Sequence, residues 1–380
     1  MYALLFRPIK FLSRSKIPHV TRTLTSSSEF EPGSFLKDKP PLKKLKLFPE
    51  SLYGGEHFVT LLTGTSPIGK QGANYIKTLF KAAKIPVAFE RIDVGNTNEY
   101  IRSVLRNRVC LHVDSQHDPQ EKAKALKLNN NLDLFACIIK CFGHEGYNCK
   151  FPDANLTIAS QNNTGDYDKL EYQPVQGVVE TLCIHEDDYT RRYLKFVLDY
   201  AKKNGHKHIT IGVKRLYLPR SDGRFFDLAC EIQQESYPDI ELLEMDIEKL
   251  VYYIIKDPCK FDMICCNDRY GTFVASAASA VCGGASLFGA CELNNTHAIF
   301  KPLQTKLSIT SYRELSPYGV IRSCIDLLRY LGKCECATAM EGELASILSA
   351  GKPRTVEFGG EDSGEFIICN IVNKLRCKFK

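Results

Sequence analysis

No run of apolar residues in this 380-residue chain approaches the ~20 that a membrane-spanning helix needs, so a spanning segment is excluded and a soluble globular protein is expected. No acidic residue precedes Glu29. The same stretch holds Arg7, Lys10, Arg14, Lys16 and Arg22 among serines, threonines and Leu4, Leu5, Phe6, Phe11 and Leu12. A basic, amphipathic, acid-free leader is what mitochondrial import requires, so residues 1–28 read as a cleavable transit peptide. None of the 16 cysteines forms a Cys-x-x-Cys pair, and Cys265-Cys266 and Cys334-Glu-Cys336 are too tight for tetrahedral ligation, so free thiols in a reducing matrix are expected. No fixed-period repeat is present, which excludes a solenoid. The folded body also lacks net charge. Residues 1–50 carry ten Lys/Arg against four Asp/Glu, and the formal charge of +6 is therefore spent before residue 51, which leaves no basic surplus for nucleic acid.

What remains is long enough, at 44% hydrophobic residues, for two sub-domains with a large shared core. Residues 29–52, with Pro32, Pro40, Pro41, Pro49 and a run of lysines, read as a linker. Beyond it, Phe58–Leu62 reads as a buried strand, residues 70–83 as a helix and Val87–Val94 as a second strand, a spacing that predicts a parallel α/β sheet. Asp187–Lys203 opens acidic, closes basic and stops at Gly205, the charge order that suits a helix dipole. His208–Val213 and Phe261–Cys266 are strand-like, and the small side chains of Ala275–Val281 suit close packing.

Gly64-Thr-Ser-Pro-Ile-Gly-Lys70 nearly matches a nucleotide P-loop, a reading in which the chain binds nucleotide phosphates. The match fails where the mechanism is decided: Gln71 stands where magnesium needs a hydroxyl, and Pro67 has no N–H to offer a phosphate.

A second pattern extends over residues 53–376. Tyr53-Gly-Gly-Glu-His-Phe-Val-Thr60, Asn129-Asn-Asn-Leu-Asp-Leu-Phe-Ala-Cys-Ile-Ile139 and Ser160-Gln-Asn-Asn-Thr-Gly-Asp-Tyr167 resemble, in order and spacing, the signatures of mitochondrial NAD-dependent isocitrate dehydrogenases. Ile139-Lys140 is similar to the Ile-His of the γ-type regulatory subunits, where catalytic subunits carry Arg-Pro. Isocitrate has three carboxylates, and its capture needs guanidinium groups matched to them. The resemblance sets those arginines at Asn129, Ile139 and Ser160, none of which is charged. It sets the metal aspartates at Glu248, Thr272 and Ser276, so one carboxylate of three remains for a divalent cation. Tyr167 matches the catalytic tyrosine, and Lys214 the lysine that a neighbouring subunit supplies; both read as vestigial or as acting in trans. The NAD loops fall at Phe300-Lys-Pro-Leu-Gln304 and Leu315-Ser-Pro317, so binding of NAD and of Mg2+ or Mn2+ by this chain is not expected from these residues.

The fold implied is the α/β isocitrate/isopropylmalate dehydrogenase-like fold, distinct from the Rossmann arrangement. Residues 53–134 and 283–380 would form a discontinuous large domain and 135–282 a small dimerisation domain. The function implied is a noncatalytic or regulatory subunit of the matrix enzyme that converts isocitrate to 2-oxoglutarate, with a catalytic subunit as hetero-oligomeric partner and no membrane or nucleic-acid partner. Two other readings stand beside it. One is an active dehydrogenase of altered substrate, with Lys127, Lys140 or Lys150 as its cations, and the other a free-standing noncatalytic binding paralogue.

Overall fold

Ten strands among the described residues form one sheet in the order β2-β1-β3-β12-β11-β4-β5-β10-β8-β9. The computed structural model describes residues 57–64, 67–93, 97–113, 129–144, 149–162, 170–307 and 315–379. The expected transit segment and linker, Lys127 and Tyr167 lie outside these residues. The strands are β1 (His57–Thr63), β2 (Val87–Asp93), β3 (Val109–Val113), β4 (Ala136–Phe142), β5 (Asn155–Gln161), β8 (His208–Val213), β9 (Glu241–Asp246), β10 (Met263–Cys266), β11 (Gly289–Leu293) and β12 (Ala298–Pro302). A separate hairpin joins β6 (Glu171–Val175) to β7 (Val178–Thr181).

The parallel sheet read from the sequence is half right. Both flanks are parallel, but β12·β11, β11·β4 and β4·β5 at the centre are antiparallel. Only residues 294–297 connect β11 to β12, too short a link for a crossover, so the two must turn back on each other. Asn294 makes that turn, its side-chain oxygen accepting from the backbone N–H groups of Thr296 at 2.7 Å and His297 at 2.6 Å. Residues 57–113 and 289–302 supply the five strands on one side of the β11·β4 seam, and residues 136–266 the five on the other.

Helices cover the sheet: α1 (Pro67–Ala82), α2 (Thr97–Asn107), α3 (Asp187–Asn204), α4 (Arg224–Ser236), α5 (Ile247–Lys256), α6 (Asp268–Val281), α7 (Pro317–Tyr330), α8 (Cys334–Ala350) and α9 (Gly364–Lys378). In α3 the expected signals act as read, with Asp187 and Asp188 in the first turn, Lys202 and Lys203 in the last, and Gly205 at φ 78°. Helix α7 is buried along almost its whole length between sheet and α8, and even its Arg322 is buried, paired with Glu341 at 2.7 Å. Helix α1 begins at Pro67 rather than residue 70, because proline's fixed φ and missing N–H suit a first helical position. The apparent phosphate loop is therefore mostly helix. A Cβ on Gly69 would come within 2.9 Å of the Gly64 nitrogen and 3.1 Å of the Val113 oxygen, so this glycine serves close packing of α1 on the sheet.

All 16 cysteines are free, and many are in the core. No described helix is long and apolar enough to cross a membrane.

Candidate functional site

Residues that face each other across a β-ladder share a sheet face, and so do residues two apart on a strand. Ser160 on β5 faces Cys137 on β4, and Cys137 faces Glu292 on β11. Ile139 on β4 faces Ala290, and Ala290 faces Lys301 on β12. Two of the three expected arginine positions, Ile139 and Ser160, thus lie on one buried face near the centre of the sheet. Asn129 is also buried, in the helical turn that precedes β4. Helix α6 closes on this face so tightly that a Cβ on Gly271 would stand 2.1 Å from the Ser160 Cβ.

The face is not empty of charge. Glu292, fully buried, is flanked by the Lys301 ammonium at 2.6 Å and by the Lys306 ammonium at 2.5 Å, with side-chain exposures of 4% and 15% for the two lysines. Glu292 and Lys301 are diagonal neighbours on the β11·β12 ladder, and Lys306 comes from the helical turn Leu303–Lys306 that follows. Burial alone would raise the Glu292 pKa, but the two ammoniums outweigh it and hold the carboxyl well below its usual range. Burial pulls Lys301 down; at Lys306 burial again pulls down, but Glu292 and Cys137 together outweigh it and raise the pKa. Burial pushes the neighbouring Cys137 thiol up.

Lys301 and Lys306 are not the cations expected from the sequence. Lys140 is next to Ile139 on β4 and so faces the opposite side of the sheet, where its ammonium lies 5.9 Å from the Tyr200 ring centre. Lys150 lies over Phe151. Neither Lys301 nor Lys306 carries a local signal in the sequence: the strand register brings Lys301 to Glu292, and the turn after β12 brings Lys306.

Lys214 and Glu248 do meet. Lys214, just past β8, donates from its ammonium to Glu248 in the first turn of α5. Hydrogen bonding with Asp246 and then with Lys214 lowers the Glu248 pKa to about 2, and the same Glu248 contact raises that of Lys214. The buried carboxylate of Asp222 fixes the loop, accepting from the Lys214 backbone N–H at 2.8 Å, Asn267 at 3.1 Å and Tyr270 at 2.9 Å. Since β10 separates β5 from β8, Lys214 starts two strand spacings, roughly 10 Å, from Ser160 and extends toward the β9 side.

The other expected metal positions offer only hydroxyls, and Ser276 turns its own back to the Thr272 carbonyl at 2.8 Å within α6. With Glu248 committed to an ammonium, this donor set does not fit a divalent cation held by this chain alone, and among the described residues no group of three or more His, Cys, Asp or Glu is placed to hold a metal. The segment set at the NAD loop, residues 300–304, is the end of β12 and the start of the following turn, and its side chains are buried. It does not fit an open nucleotide loop.

Residues 78–373 match the isocitrate/isopropylmalate dehydrogenase family. Subunit 1 of the mitochondrial NAD isocitrate dehydrogenase of Saccharomyces cerevisiae is 29% identical over 335 residues, covering 85% of this chain and 92% of that one. The γ subunit from Bos taurus is 27% identical, covering 86% of each chain, and regulatory subunit 1 from Arabidopsis thaliana is 26% identical, covering 85% and 90%. The solved isocitrate dehydrogenase of Methylococcus capsulatus superposes with a TM-score of 0.77 at 20% identity, over 84% of this chain and 99% of that one. The sheet order, the sustained match and the shared fold together make this chain a member of the isocitrate/isopropylmalate dehydrogenase family.

Proposed function

We propose that the chain is a noncatalytic, regulatory subunit of a mitochondrial NAD-dependent isocitrate dehydrogenase, acting in the matrix while bound to a catalytic subunit. The observation that carries this reading is the buried sheet face itself. Ile139 and Ser160 bring no charge to it, and the two ammoniums of described residues shown to reach it, those of Lys301 and Lys306, are taken up by Glu292. Three substrate carboxylates find no free cation among the described residues of that face, and each missing charge-assisted contact forfeits ~1.5–3 kcal/mol of binding. An active dehydrogenase of altered substrate is not favoured, since Lys140 and Lys150 lie elsewhere.

A partner is called for by the β6–β7 hairpin. Both of its strands are exposed throughout, pair only with each other, and display Tyr172, Val175, Val178 and Val179, with Leu182 and Ile184 just beyond. An isolated two-stranded ribbon is marginal in water and an apolar one marks an interaction surface, so this part of residues 135–282 is assigned to subunit pairing. Lys214 and Glu248, carried toward the sheet's β9 edge, are the groups such a pairing would offer to the partner's site.

The test is reconstitution. The purified chain alone is expected to show no isocitrate-dependent NAD reduction above a no-enzyme control, whereas co-expression with a catalytic subunit should give an active complex of defined stoichiometry. Replacing Val175, Val178 and Val179 together by serine is expected to abolish that complex in size-exclusion chromatography while the melting temperature of the isolated chain changes little. Turnover by the chain alone would overturn the noncatalytic reading, and failure to form any mixed complex would overturn the subunit reading. Location is tested separately. Residues 1–28 fused to a fluorescent protein are expected to deliver it to the matrix, and cytosolic fluorescence would remove the import assignment.

A further inference from the structure

A buried carboxylate held between two ammoniums, on the face where this family's substrate arginines are expected, has the layout of a bound ligand. The difference is that the carboxylate belongs to the chain. Glu292 is fully buried, its two oxygens are each engaged by a different lysine at 2.6 and 2.5 Å, and the lysines come from separate elements, β12 and the turn after it. Its ladder neighbour is Cys137, so Ile139, two residues on along β4, is diagonal to it and Ser160 is one strand further on the same face, which places the carboxylate next to one expected arginine position rather than at a remote corner of the core.

We propose that Glu292 is a built-in carboxylate ligand: it fills, from within the chain, the anion site created by Lys301 and Lys306, and so keeps this site permanently occupied. The site's natural chemistry is that of a small carboxylate receptor. Two ammoniums around one carboxylate leave a surplus positive charge in a low-dielectric interior, so loss of the internal carboxylate creates a strong demand for an external one. Its regulatory meaning rests on the subunit reading above. A subunit whose anion site is already filled holds one state regardless of the carboxylates around it, and its contribution to a catalytic partner is constant.

Chemical rescue on the purified full chain tests the assignment independently of any partner. Glu292→Ala removes a fragment about the size of acetate and is expected to lower the melting temperature by ~10 °C. Acetate or formate at tens of millimolar should recover at least half of that loss, while chloride at equal ionic strength should not, and the unmutated chain should respond to none of the three. Should Glu292→Ala not fold, Glu292→Ala with Lys301→Met leaves a single ammonium at the more accessible Lys306, and the carboxylate-selective rise should persist with weaker affinity. A rise with chloride equal to that with acetate, or no rise in whichever variant folds, would overturn the proposal. So would a carboxylate-selective rise in the unmutated chain, because it would mean that the site is open. Since none of these outcomes involves NAD reduction, the proposal can fail while the subunit reading stands, and the reverse.

Discussion

Lys214→Ala in the mixed complex is expected to lower isocitrate-dependent NAD reduction by ~100-fold, the scale of one lost general acid or base, with assembly intact. The residue is well placed for action outside its own chain. Its backbone is pinned by the buried Asp222, its ammonium reaches the first turn of α5 beyond the carboxyl end of the sheet, and its direction is away from Ser160. Glu248 raises its pKa, which holds the ammonium protonated as a hydrogen-bond donor at neutral pH. Lys214→Gln keeps a donor without the charge and should recover part of the rate at most, whereas Glu248→Gln should chiefly move the alkaline limb of the pH profile by releasing the lysine. The measurement is kcat and its pH dependence for the three complexes at matched stoichiometry. Unchanged turnover in Lys214→Ala would leave the residue a structural partner of Glu248.

Gly271→Ala is expected to carry a large cost in folding stability. The added Cβ would lie 2.1 Å from the Ser160 Cβ and 2.8 Å from its hydroxyl, distances no packed carbon tolerates, so α6 must retreat from β5. Overpacking of this kind costs ~3 kcal/mol or more where the obstacle sits on a central strand and cannot swing aside. The cost should be read from urea denaturation of the purified chain. Ser160→Gly removes the obstructing atom, so the double variant Ser160→Gly, Gly271→Ala is expected to be more stable than Gly271→Ala alone. Additive losses in the double variant would show that the two residues do not meet.

Much of this architecture is legible in the sequence because local signals agree with tertiary demands. Helix α3 has its acidic start, basic end and glycine stop, and β8 is a continuous buried run, so both fall where pattern alone sets them. The centre of the sheet is different. In Gly289–Leu293 and Ala298–Pro302 a charged residue interrupts each apolar run, which reads as solvent-facing until the chain is turned at Asn294 and the two strands are set in register. The four-residue link is the signal that was available: it forces an antiparallel pair, and an antiparallel pair brings Glu292 diagonally opposite Lys301. Lys306 carries no such signal, since it depends on the path of the turn. Lys140 shows the converse error, because proximity in sequence to Ile139 means opposite faces on a strand. That Asn129, Ile139 and Ser160 are uncharged was legible, but the buried charges of Glu292, Lys301 and Lys306 on the same face were not.

The Glu292–Lys301–Lys306 cluster also limits how this chain can change. Replacing Glu292 alone strands two ammoniums in the core, and replacing either lysine alone removes half of the compensation for a buried carboxylate, steps that cost ~3–5 kcal/mol each when a buried pair is broken. Set against a total folding stability of ~5–15 kcal/mol, any single step is a large fraction of what keeps the protein folded. The three positions are therefore mutationally coupled: the one-residue step that unclaims the positive charge, loss of Glu292, carries a stability penalty that only an external carboxylate or a second substitution at a lysine would offset.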